Sequence, residues 1–180
     1  LFTRYPDRIA CVITEPEEAV PTPPDAIRAV RELARRYGAV FIADEMVTGY
    51  RAGWPGTSAR LGLDPDLATW GKAVGNGFAF GALTGRADIM DLGGIQQRRA
   101  PRVFLISTTH GGEAHALAAA RAVLREYRTK DVLGHQGRAT ATVARGMREA
   151  AKAHGVERLV EVQASPWRIV TVARAADGRP

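Results

Sequence analysis

With 180 residues, 46% of them hydrophobic, and a net charge of +6, the chain suits a packed core of one domain, or one domain and part of another, and excludes disorder. No run reaches the roughly 18 consecutive apolar residues of a membrane span, and the single cysteine, Cys11, excludes a disulfide within these residues and suits a reducing cytoplasm. The chain opens on Leu1 close to a strand and ends in Ala-Asp-Gly-Arg-Pro, so it reads as part of a longer chain.

In chain order, IACVIT (9–14) is a short β-branched run that reads as a buried strand stopped by Glu15-Pro16. After the connector PTPP (21–24), residues 24–38 read as a helix, with Pro24 in its first turn, Asp25 at its positive end and Gly38 closing it. Ile27, Val30, Leu33, Ala34 and Tyr37 form its apolar stripe. AVFIA (39–43) is a second continuous apolar strand ending in Asp44-Glu45, which completes a βαβ unit. Continuous rather than alternating apolar strands predict a mostly parallel sheet with helices on both faces. LATW (67–70), AFGALTG (79–85) and VFLIS (103–107) follow as strand candidates. Helices are predicted over 113–128 and about 132–154, and RIVTV (168–172) reads as a last strand. The division falls near residue 130: 1–130 as part of a large α/β domain, 131–180 as a linking helix and the start of a smaller α+β domain.

Basic charge raises the alternative of a nucleic-acid binder. However, Arg28, Arg31 and Arg35 share one helix face, as do Arg121, Arg125 and Arg128, and these read as solvated faces. Arg98, Arg99 and Arg102 are the nearest approach to a basic cluster. Of the 25 basic residues only Lys72, Lys130 and Lys152 are lysines, and Lys72 alone sits among apolar and glycine neighbours, in WGKAVGNG (70–77).

In open parallel sheets, ligands sit beyond the carboxyl ends of the strands. Glu15, Asp44 and Lys72 all fall at such ends. A lysine between apolar walls has a destabilised charged form, and its neutral amine attacks aldehydes. Lysine as Schiff base with an aspartate on a pyridinium nitrogen is the pairing of pyridoxal phosphate enzymes. A P-loop fails here because Ala73 follows Gly71-Lys72 and Asp66 stands where a glycine is needed, and Gly75, Gly77 and Gly81 lack dinucleotide-loop spacing. Each residue also has a plainer reading: Lys72 as a snorkelling side chain, Asp44-Glu45 as a helix cap, Cys11 as core, Thr108-Thr109 as a cap of the next helix.

The strings VITEP (12–16), YGAVFIADEMVTGYR (37–51), GLDPDLATWGKAVGNGFAFGALTGRADIM (62–90) and STTHGGEAHALAAARAV (107–123) resemble the class III aminotransferases, and within them the glutamate-1-semialdehyde aminomutases. GMREAAKAHGVERLVEV (146–162) resembles the opening of that family's C-terminal domain. The resemblance implies fold type I, pyridoxal 5'-phosphate as cofactor, and a homodimer with shared active sites and no nucleic-acid or membrane partner. It implies Lys72 as the Schiff-base lysine, Asp44 under the pyridine nitrogen and Met46 packing against the ring. Thr108 would reach the cofactor phosphate of the neighbouring subunit, and Glu15 matches the family's Glu-Pro pair. Met46 is bulkier than the usual residue, GGEAH (111–115) replaces the common Gly-Asn-Pro, and Val20 carries no acid. The family's main phosphate loop would lie upstream, so amino-group transfer, of transaminase or 2,1-aminomutase type, is expected of the full-length dimer rather than of these residues alone. A non-catalytic homologue of the fold remains the alternative reading.

Overall fold

A computed structural model describes residues 1–17, 23–93, 109 and 111–175. The expected strand 103–107, Thr108, Val20 and the Arg98, Arg99 and Arg102 cluster lie outside the described residues. The chain divides into two units, Leu1–Arg125 and Glu126–Pro180.

The first unit is organised by four strands in the order β1-β2-β3-β4. β1 (Cys11–Thr14), β2 (Val40–Asp44) and β3 (Leu67–Gly71) are parallel, with Val12 opposite Phe41 and Ala43 opposite Ala68. β4 (Gly81–Gly85) returns antiparallel to β3. The helix α1 (Pro24–Arg36) links β1 to β2, with Pro24 in its first turn and Asp25 at its amino end. Gly38, at φ +66°, lies just past it in the left-handed region that ends helices.

Strand alternation sorts the sheet into two different faces. Val12, Phe41, Ala43, Ala68 and Trp70 join Ile27 and Ala34 of α1 in one apolar cluster. Within the expected helix stripe, Ile27 and Ala34 are buried and Val30 is half-buried, but Leu33 and Tyr37 are exposed. Tyr37 stacks instead on Phe2, ring centroids 4.8 Å apart. Asp44, Thr69 and Leu83 lie side by side in register on the opposite face. There Ile13 is 58% and Leu83 40% exposed. Among the described residues, the second face is therefore the less covered one.

Between β2 and β3 lies the short helix α2 (Thr57–Leu61). After β4 come α3 (Ala87–Met90) and, past the undescribed stretch, α4 (Ala114–Thr129), which ends beyond the boundary of the first unit.

In the second unit, α5 (Val132–Ala153) starts with Asp131, whose carboxylate accepts the Gly134 N–H at 3.0 Å, and ends before Gly155 at φ +67°. β5 (Val160–Ser165) and β6 (Arg168–Ala173) form an antiparallel hairpin. Arg148 of α5 donates to the Val162 carbonyl at 2.8 Å, which ties helix to hairpin.

Candidate cofactor site

Asp44 ends β2 and Lys72 immediately follows β3, so both stand at the carboxyl edge of the same parallel pair. Asp44 is opposite Thr69, which places Lys72 three residues further along the adjacent strand line. With strands about 4.8 Å apart and about 3.3 Å of rise per residue, the two Cα atoms lie on the order of 11 Å apart.

The Asp44 carboxylate is half-buried and held through Oδ1. That oxygen accepts the Thr69 hydroxyl at 2.8 Å and the Met46 N–H at 3.0 Å. Oδ2 has no hydrogen-bond partner among the described residues. Met46 lies over the end of β3: a Cβ on Gly71 would collide with its methyl carbon and come within 2.8 Å of its sulfur. Gly71 is thus the residue that lets the Met46 side chain reach the threshold of Lys72.

Lys72 has φ +43°, in the left-handed region that a side chain with a Cβ occupies at a cost of about 1–2 kcal/mol. Such strain is concentrated at functional sites. It also ends the strand alternation at Lys72, which would otherwise assign this residue to the face opposite Asp44. The apolar walls expected from its neighbours are a point of correction. Lys72 is exposed, because Trp70 packs on the core face and Val74 turns inward to 4% exposure. Flanking residues in sequence do not enclose it.

Glu45 is the residue that sequence reasoning under-read. It is 1% exposed, and its carboxylate accepts the Thr57 N–H at 3.1 Å, the Ser58 N–H at 2.6 Å and the Thr48 hydroxyl. Glu45, not Asp44, therefore caps a helix, and it does so across 12 residues. Gly56 makes this possible, since a Cβ there would stand 2.6 Å from the carboxylate. Glu17 accepts from Arg60 and from the Thr57 hydroxyl, so the chain after Glu15-Pro16 is tied to the same helix. Glu15 itself is half-buried, and its carbonyl accepts the Thr14 hydroxyl.

Asp66, just before β3, fixes the far end of that strand. It accepts the Phe41 N–H at 2.8 Å and Arg86 at 2.9 Å. Burial opposes its ionisation most strongly, but the Phe41 and Arg86 hydrogen bonds with the Arg31 and Arg86 charges outweigh it and hold the carboxyl below its ordinary range. The helix arginines are engaged in the same framework: Arg31 donates to the Asp64 carbonyl, Arg28 to Asp25 and Leu61, Arg35 to Glu32.

The family model "Aminotransferase class-III" matches residues 1–164. The chain belongs to the class III aminotransferases. It is 32% identical over 169 residues to a glutamate-1-semialdehyde 2,1-aminomutase of Clostridium tetani, a match that covers 89% of this chain and 38% of the relative. Among solved structures, a β-phenylalanine aminotransferase from Variovorax paradoxus is 32% identical with a TM-score of 0.68, covering 90% of this chain and 36% of that one. A transaminase described with pyridoxal phosphate bound is 26% identical with a TM-score of 0.79, covering 97% of this chain and 41% of that one. The chain thus spans well under half the length of these members of the family.

The residues present fit pyridoxal phosphate. A half-buried carboxylate with one oxygen unbonded among the described residues suits a protonated ring nitrogen, an accessible lysine amine can condense with an aldehyde, and Met46 over Gly71 offers an apolar surface between them. Among the described residues, no group of three or more His, Cys, Asp or Glu is placed to hold a metal ion, and no helix is long and apolar enough to cross a membrane.

Proposed function

We propose that this chain carries the lysine and the ring-nitrogen acid of a pyridoxal phosphate-dependent enzyme that transfers amino groups, and that the activity belongs to the whole protein. The observation that carries the reading is the placement of Asp44 and Lys72 at one edge of one parallel strand pair, with Asp44 Oδ2 left unbonded among the described residues.

When bound, pyridoxal phosphate supplies an aldehyde that condenses with amines and a protonated ring that withdraws electrons from a substrate carbon. Lys72 would hold the aldehyde through Nζ. Its Nζ, once free, would serve as the base that takes and returns the proton at the substrate carbon bearing the nitrogen. Asp44 Oδ2 would accept a charge-assisted hydrogen bond from the ring nitrogen and hold its proton. Met46 would pack on the ring and exclude water from that side. Glu15 stands at the end of β1, and Thr108 would serve the phosphate of a neighbouring subunit in a homodimer.

The relatives include an aminomutase and an aminotransferase. Both reactions share a proton transfer at the carbon that bears the nitrogen, so the reading is amino-group transfer between small amino and oxo compounds. The large-domain and small-domain division near residue 130, and a cytoplasmic location, accompany the proposal. Lys72→Ala and Asp44→Asn variants of the whole protein, assayed against a panel of amines and oxo-acids, test it. Turnover at the wild-type rate in the Lys72 variant would overturn it.

A further inference from the structure

The Asp44 carboxylate has two anchors of different kinds. The Met46 N–H belongs to the turn that follows Asp44 and moves with it. The Thr69 hydroxyl belongs to β3, the strand that runs on to Lys72, and among the described residues it is the side chain that ties the acid to that strand. Both bonds go to Oδ1. A carboxylate pinned by Met46 alone keeps a rotation about its Cβ–Cγ bond that a second donor from the neighbouring strand removes. Thr69 is well suited to supply that donor, because it is β-branched, its rotamer choice is narrow, and it lies in register with Asp44 on the less covered face.

We propose that Thr69 is a positioning residue for the ring-nitrogen acid. By holding Oδ1 it sets the rotation of the Asp44 carboxylate and leaves Oδ2 as the oxygen presented to the ring nitrogen of pyridoxal phosphate. This rests on the proposed function above and adds a residue that touches neither cofactor nor substrate. Because orientation errors near 1 Å cost up to about 100-fold in rate, loss of this one hydroxyl lowers kcat while leaving substrate binding largely in place.

The test compares Thr69→Val, Thr69→Ser and Thr84→Val in the whole protein. Valine keeps shape and β propensity but removes the donor; serine keeps the donor. Thr84 is the control: its hydroxyl accepts the Trp70 indole N–H at 2.8 Å, on the face away from Asp44. Three quantities are read: the dissociation constant for pyridoxal phosphate, the pH at which the visible absorbance of the bound cofactor titrates, and kcat against KM for a working amine. For Thr69→Val the expectation is cofactor binding weakened several-fold, a shifted absorbance titration, and kcat down about 10- to 100-fold at nearly constant KM. Thr69→Ser restores all three and Thr84→Val moves none. Unchanged titration and kcat in Thr69→Val overturn the positioning role while leaving the proposed function standing. A wild-type protein that takes up no pyridoxal phosphate overturns the proposed function, and the positioning role with it.

Discussion

Replacing Glu45 by glutamine removes a charge but hardly any volume, which makes the cost readable from the hydrogen bonds alone. The carboxylate offers two acceptor oxygens: Oε2 takes the Thr57 N–H and the Thr48 hydroxyl, and Oε1 takes the Ser58 N–H. A carboxamide offers one. Whichever way it is turned, its NH2 faces one of the two α2 amides, and the Gly56 approach leaves no room to swing aside. One buried N–H is stranded, at a cost of about 1–3 kcal/mol. At about 1.4 kcal/mol per tenfold, local opening of α2 becomes about 5- to 150-fold more frequent. Amide hydrogen exchange of Thr57 and Ser58 reads this directly, with amides of the hairpin β5–β6 as an internal reference. Met46 follows Glu45 in the same turn, so the Asp44 bond from its N–H loosens as well. Unchanged exchange at Thr57 and Ser58 in the glutamine variant would refute the assignment of Glu45 as the cap of α2.

Three further outcomes follow from the same geometry. Asp66→Asn keeps an acceptor for the Phe41 N–H but loses the Arg86 pair, and the variant is expected to be about 2 kcal/mol less stable than wild type near pH 7. Since the folded carboxyl is held below its ordinary range, that advantage is fully present above about pH 4 and fades as pH falls through the folded value; a difference that persists undiminished at about pH 2, by denaturant titration, contradicts it. Gly71→Ala places a methyl against Met46 and displaces it from the lysine's threshold. Pairing it with Met46→Ala relieves the clash, so a double-mutant cycle in cofactor affinity should show coupling of about 1 kcal/mol or more, whereas additive effects would separate the two residues.

Much of the first unit is legible in the sequence because its strands are short β-branched runs closed by polar or proline punctuation. IACVIT, AVFIA and LATW each yield a strand within one or two residues of its observed bounds. α5 is legible from Val132 to Ala153 because a helix of that length repeats its pattern several times. The antiparallel direction of β4 is not written in AFGALTG, since glycine-rich strands carry little pattern of their own. β5 is harder still: VEVQAS alternates apolar and polar residues, and only its pairing with β6 shows which face is covered.

The candidate site divides in the same way. Asp44 and Lys72 are found from strand ends, since that is where open parallel sheets bind ligands. The exposure of Lys72 is not, because alternation sends Trp70 to the other face and the left-handed turn at Lys72 is invisible in composition. The helix-cap reading of Asp44-Glu45 holds for Glu45, but the helix it serves is not legible. Glu45 caps a helix of five residues that begins 12 positions later behind a glycine, so no local capping pattern announces it. The Thr69 bond to Asp44 depends on the register of β2 against β3, which only their pairing shows.

The most direct measurement of the central claim is chemical. The whole protein, saturated with pyridoxal phosphate, is reduced with borohydride, digested, and its cofactor-bearing peptide sequenced by mass spectrometry. The account predicts a single modified lysine, Lys72, in the segment 70–77. Modification of Lys130, Lys152 or any other lysine in its place, or a wild-type protein that retains no cofactor on reduction, would contradict it.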